Sequence, residues 1–159
     1  MPKDYASILQ QVCKRHLHLH HCELDARTVL KQWGCYQRHI CLPSTGYASM
    51  AAIGRVMKAT SPDYSGLPDD LLQEWDVDEY PEDFMELVEI WLCENDQSKL
   101  RILQLYFVNC LSYRAAAETY NKRYDDYVAK DRVSEWVNQA LDGIQSKLDN
   151  RELPIAANS

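Results

Sequence analysis

Two clusters of side chains in this 159-residue chain have types and spacings suited to chemistry. The first is the run CKRHLHLHHC at 13–22. On a helix, Cys13, His16 and His20 share one face at spacings of three and four, and with Cys22 they form a candidate set of zinc ligands. The competing reading is a polar helix end that holds no metal. His18 and His21 fit no second ligand set, and zinc sites commonly gather ligands across a turn. Partial protonation would then add positive charge beside Lys14 and Arg15, which suits nucleic-acid or acidic surfaces. On balance the sequence leads us to expect neither metal nor cofactor.

The second cluster lies in KDRVSEWVN at 130–138. With Val133, Val137 and Ala140 turned inward, a helix here presents Lys130, Asp131, Ser134, Glu135 and Asn138 outward. These types can read base edges: Asn pairs with adenine, Lys with guanine, and Asp or Glu accepts from cytosine. Arg114, Lys122, Arg123 and Arg132 suit phosphates, which position a protein without specifying sequence. The alternative is an ordinary amphipathic surface helix, whose outer face shows the same polar types. Catalysis is not expected. All histidines fall within the first 39 residues, and no nucleophile elbow, phosphate loop or metalloprotease helix is present.

The elements that must position these residues follow from hydrophobic spacing. Residues 3–22 read as a helix with Ile8, Leu9 and Val12 on one side. Asp25 is a plausible N-cap for a second helix, 26–40, that buries Val29, Leu30 and Trp33. Pro43, Ser44 and Gly46 break it, and a third helix from Tyr47 to about Ala59 carries Met50, Ile53, Val56 and Met57. The stretch TSPDYSGLPDDLLQEWDVDEYP then reads as an acidic linker. It is either a solvated loop or a docking surface for a basic partner anchored by Trp75 and Tyr80. Pro81 suits the first position of a fourth helix with Phe84, Leu87, Val88 and Trp91 or Leu92 inward. A fifth helix spans about 97–110 with Leu100, Leu103, Phe107 and Cys110 inward. Ser112 caps a sixth. The last helix has one stripe of Val133, Val137, Ala140, Leu141, Ile144 and Leu148.

The fold class is therefore all-α and multi-helical. Residues 1–60 form an N-terminal helical region, 61–80 the acidic, proline-containing linker, and 81–159 a helical DNA-binding region with a helix-turn-helix at about 112–148.

Charge agrees with local rather than global attraction to phosphate. The net charge is −7. Residues 1–40 hold six basic and three acidic side chains, 41–100 three and thirteen, and 101–159 eight of each. A phosphate-binding surface needs a positive face, not a basic protein. The six cysteines need no disulfides in a cytoplasmic chain, and Cys93 and Cys110 read as small core residues. No apolar run is long enough for a membrane span, and MPKDYASILQQ lacks a signal-peptide pattern, so a soluble cytoplasmic protein is expected.

A helix-turn-helix imposes its own spacing. A small residue in the first helix permits close approach, and a β-branched residue about ten positions later anchors the second. Ala117 is the small residue, but ten positions on is Tyr127 and three more is Lys130. A shift of six restores the pattern at Val133 and Trp136. Ala117, Val133, Trp136, Val137 and Ala140 are then the packing positions, joined by a connector about six residues longer than usual. Two packed helices with a charged loop remain the alternative.

LQLYFVNCLSYRAAAETY, followed by VSEWVNQALDGIQSKL, resembles the DNA-binding end of the late antitermination Q proteins of lambdoid phages, in the shorter class typified by phage 21. VLKQWGCYQR looks like that family's early tryptophan-glycine helix, and GYASMAAIGRVM like its next segment. Acidic residues before FMELVEIWL are similar too. The resemblance covers about 28–148.

It implies a σ-region-4-like helix-turn-helix that binds double-stranded DNA at a phage late promoter. It also implies loading onto host RNA polymerase, held with its σ factor at a pause. One or two copies would narrow the RNA-exit channel so that terminator hairpins cannot form. Nascent RNA would pass nearby without sequence-specific readout, in the cytoplasm of the host bacterial cell. Zinc is not implied. Two positions depart from the pattern: Cys110 stands where the family often has glycine, and the connector is long. The competing functions are an ordinary helix-turn-helix repressor or activator, and a helical RNA-polymerase-binding adaptor that uses the acidic 63–96 region.

Overall fold

The structure, a computed structural model, describes residues 4–41 and 75–151, and every regular element among them is helical. The expected helix from Tyr47 to about Ala59 and the linker up to residue 74 lie outside the described residues. None of the described helices is long and apolar enough to cross a membrane.

Helix α1 (Tyr5–His20) starts at Asp4, whose carboxylate accepts from the Ser7 amide at 3.1 Å. It ends where His21 turns left-handed (φ 57°) and its amide bonds Leu17 O. Asp25 Oδ1 accepts from Thr28 N at 3.2 Å and starts α2 (Ala26–Cys41), as its residue type suggested.

Helix α3 (Glu82–Leu92) buries Phe84, Met85, Leu87, Val88, Trp91 and Leu92. That wide stripe fits its place against α1, α2 and the last helix. Pro81 is the residue before the helix rather than its first, because its ψ of 159° is extended. Cys93 corrects a second expectation. It caps the C-terminus of α3 and is exposed, because the helix ends one residue before it could turn inward.

Helix α4 (Gln97–Leu103) does not continue to 110 as an α-helix. It widens into a π-helical turn, Gln104–Val108, closed by Asn109 N on Gln104 O at 3.0 Å. The widening accompanies the burial of three consecutive large residues, Leu105, Tyr106 and Phe107. Leu100, expected inward, is only half-buried, whereas Ile102 is fully buried. The chain leaves the turn at Cys110, which is left-handed (φ 57°) and buried.

Helix α2 holds this turn. Arg38, itself buried, donates through Nη1 to Phe107 O at 2.8 Å and Val108 O at 3.0 Å. Gly34 makes the approach possible, since a Cβ there would lie 2.2 Å from Phe107 O.

Helix α5 (Tyr113–Tyr124) is capped by Ser112, whose Oγ accepts from Ala115 N at 3.1 Å. It buries Ala115, Ala116, Ala117 and Tyr120. Helix α6 (Lys130–Asn150) buries Val133, Val137, Ala140, Ile144 and Leu148 and packs on α2, α3, α4 and α5. Side chains from all six helices and the π turn join one hydrophobic cluster. Burial of each large apolar side chain contributes roughly 1.5–3 kcal/mol.

Tyr36 in that cluster makes alkaline stability testable. Burial first, then the nearby Glu82, Glu89 and Glu86 carboxylates, push its pKa up to about 12. In the unfolded chain a tyrosine ionises near pH ~10, so between these values the unfolded state holds fewer protons and folding weakens as pH rises. Tyr36→Phe is expected to reduce the loss of stability in urea titrations above pH ~10. Part of the slope should remain, because burial also raises the pKa values of Tyr80 and Tyr106.

Candidate nucleic-acid interface

The corner between α5 and α6 is built by side chains of α5. Asp125 ends the helix in a left-handed conformation (φ 48°, ψ 43°) that aspartate tolerates better than most residues. Asn121 then clamps the next segment with both ends of its amide. Its Oδ1 accepts from Val128 N at 2.7 Å and its Nδ2 donates to Val128 O at 3.1 Å. The Tyr120 hydroxyl donates to Asp126 Oδ2 at 3.0 Å, and Asp126 Oδ1 accepts from Tyr127 N at 2.8 Å.

Val128 is thereby buried while Tyr127 is 81% exposed. This accounts for the long spacing seen in the sequence. Helix α5 runs on to Tyr124, and five residues, 125–129, connect it to α6.

Of the expected packing positions, Ala117, Val133, Val137 and Ala140 are buried in one cluster. Trp136 is only half-buried and packs on the flank of that cluster, because it sits beside rather than on the Val133–Val137 stripe. Outward, Lys130, Asp131, Glu135 and Asn138 are exposed and Ser134 is half-buried, all within the first turns of α6.

The phosphate candidates divide into two groups. Arg114 lies 3.8 Å from Glu118, and Arg132 lies 4.0 Å from Glu135, each along its own helix. Such exposed pairs are weak enough for a phosphate to compete. Lys122 and Arg123 are exposed and make no ion pair among the described residues, as is true of the base-reading candidate Lys130. They flank the connector, two at the end of α5 and one at the start of α6.

Ala129 gives α6 no side-chain cap, which leaves its positive end able to accept an anion. Asp125, Asp126, Asp131 and Glu135 balance the local cations, so attraction to phosphate would come from placement rather than from net charge.

The candidate zinc set is redistributed. Cys13 faces away, with Arg151 Nη1 donating to its Sγ at 2.8 Å. His16 and His20 instead meet Glu79, from the turn before α3, and Cys22 Sγ lies 3.7 Å from His16 Nε2. Trp75 and Tyr80 pack within the chain itself. Tyr80 is 2% exposed, and Trp75 Nε1 donates to its carbonyl at 2.9 Å.

Sequence reasoning missed Glu79 and Asn121. Glu79 is 59 positions from His20 and no local pattern links them. Asn121 carried a usable signal, a side-chain amide near a helix end, where asparagine commonly bonds nearby backbone. No family model matches the chain, nor does any curated protein or solved structure.

Proposed function

We propose that this chain is a phage transcription antitermination factor that binds late-promoter DNA through the α5–α6 corner and then acts on the paused, σ-containing RNA polymerase. The observation that carries the DNA-binding part is the pairing of a fixed corner with an exposed polar row. Val128 and Val133 are buried, and Asn121 sets the chain before α6, while Lys130, Asp131, Glu135 and Asn138 point to solvent. Base readout needs such side chains on a rigid element, and the flanking Lys122 and Arg123 supply phosphate contacts that set register.

The polymerase part rests on the resemblance of 28–148 to the phage 21 class of Q proteins. It requires no catalysis by the protein, only steric narrowing of the RNA-exit channel and an interface that survives elongation.

In vitro transcription with the host σ-containing polymerase tests both parts. The template carries the phage late promoter and a downstream intrinsic terminator. Read-through is expected only from that promoter, and is expected to be lost in the Ser134→Ala/Asn138→Ala double variant. Lys122→Ala/Arg123→Ala is expected to weaken DNA binding across sequences and to reduce the salt slope by about one for each phosphate left without its cation. Unchanged termination beside sequence-specific DNA binding would instead indicate an ordinary regulator. Polymerase binding without any DNA binding would indicate an adaptor.

A further inference from the structure

We propose that His16, His20 and Glu79 bind a divalent transition-metal ion of the zinc class, clasping the end of α1 to the turn that leads into α3. The two histidines lie one helical turn apart with ring centroids 4.5 Å from each other, the i, i+4 arrangement that lets two imidazoles share an ion. Glu79 completes the set from the other side. Its Oε1 is 3.5 Å from His16 Nδ1 and hydrogen-bonds His20 Nε2. One donor atom from each of the three residues falls within 4.8 Å of the others.

Tetrahedral zinc with bonds of about 2.0–2.2 Å separates its donors by roughly 3.3–3.6 Å. The His16–Glu79 edge already has that length. The His20–Glu79 edge must lengthen, and the His20 side chain, 47% exposed, has room to swing.

The donor chemistry selects the class of ion. Two imidazoles and one carboxylate suit zinc, cobalt or nickel, whereas calcium and magnesium favour oxygen alone. His16 is 4% exposed, so its ring is held in place before any ion arrives. Cys22 Sγ, 3.7 Å from His16 Nε2, can accept that N–H and leave Nδ1 for the ion. The Tyr80 hydroxyl, now 2.9 Å from Nδ1, then donates to Glu79.

A separate observation points the same way. The cluster opens on a cavity of about 750 Å³, and Gln32 lines it. Gln32 is 6% exposed, and its Oε1 has no hydrogen-bond partner among the described residues. A water in that cavity would give the amide oxygen the donor it lacks.

The test uses the full chain, stripped with chelator and titrated with zinc chloride by calorimetry, then with cobalt(II) followed by its visible bands. One ion per chain is expected, with the intense bands of four-coordinate cobalt. At a hundredfold excess over Kd the melting temperature should rise by roughly 5–10 °C. His20→Asn and Glu79→Gln are each expected to weaken binding at least tenfold while the apo protein stays folded. Cys13→Ser should change nothing. Binding that is indifferent to both variants, or absent while the chain is folded, would overturn the site and leave His20 and Glu79 as a simple hydrogen-bonded pair. Equal affinity for magnesium would overturn the assigned class of ion.

Discussion

Gly34→Ala should cost about 3 kcal/mol or more of folding stability, a large effect for the addition of one methyl group. The new Cβ would sit 2.2 Å from Phe107 O and 2.8 Å from its carbon, both backbone atoms with no rotamer to relieve the clash. Helix α2 and the π turn would have to separate by roughly 1 Å, and overpacking of a tight core typically costs about 1–3 kcal/mol before any bond is broken. Separation would also stretch the Arg38 bonds to Phe107 O and Val108 O, exposing buried carbonyls to a further penalty. The measurement is a urea denaturation midpoint, with Gly143→Ala as the control. Nothing lies within 4 Å of a Cβ at Gly143, on an exposed face of α6, so alanine there should stabilise by about 0.5–1 kcal/mol. Equal and small effects at the two glycines would mean that α2 does not grip the π turn closely.

Asn121→Ala carries the second large effect, and it joins stability to function. It removes two hydrogen bonds and leaves the Val128 N–H and C=O without the partners they have now, for a combined cost of about 2–3 kcal/mol. The connector is also the only covalent approach to the first turn of α6. Loosening it should therefore lower DNA affinity several-fold although Asn121 itself need not touch DNA. Asn121→Asp keeps an acceptor for Val128 N and loses the donor to Val128 O, so it should fall between wild type and alanine. Amide hydrogen exchange at Val128, measured beside DNA binding, separates the two consequences. Fast exchange with unchanged binding would mean that the corner plays no part in recognition.

Much of the helical plan is written in local pattern. The Val133–Leu148 stripe, the Asp25 and Ser112 caps and the inward face of α3 all follow from a period of 3.6 and from short side chains at helix starts. The π turn does not. Of Leu105, Tyr106 and Phe107 the helical period turned only Phe107 inward, and what holds their turn against α2 is Gly34 and Arg38, about seventy positions away. The tryptophan-glycine pair at 33–34 was visible as a signature, but its meaning lies in the carbonyl that approaches it.

The candidate DNA face was legible because it is the reverse of an amphipathic stripe. The partner of the two histidines was not, because Glu79 reaches them only once α1 and α3 are packed. Cys93 shows the limit on a small scale: a periodic pattern extended one residue past the end of a helix assigns the wrong surroundings.

Helix α6 has a mechanical consequence. At about 1.5 Å per residue its 21 residues span roughly 31 Å. Its far half is moored on three sides: Gln145 Oε1 accepts from Ala26 N, Lys147 pairs with Glu94, and Arg151, just past its end, reaches Cys13. The exposed polar row and the moored half belong to one stiff rod. A load applied at Lys130 reaches α5 through the corner and, along the rod, the start of α2 and the middle of α1. Whatever grips the first turns of α6 thereby also sets the bearing of the N-terminal helices, as the blade of an oar follows its handle.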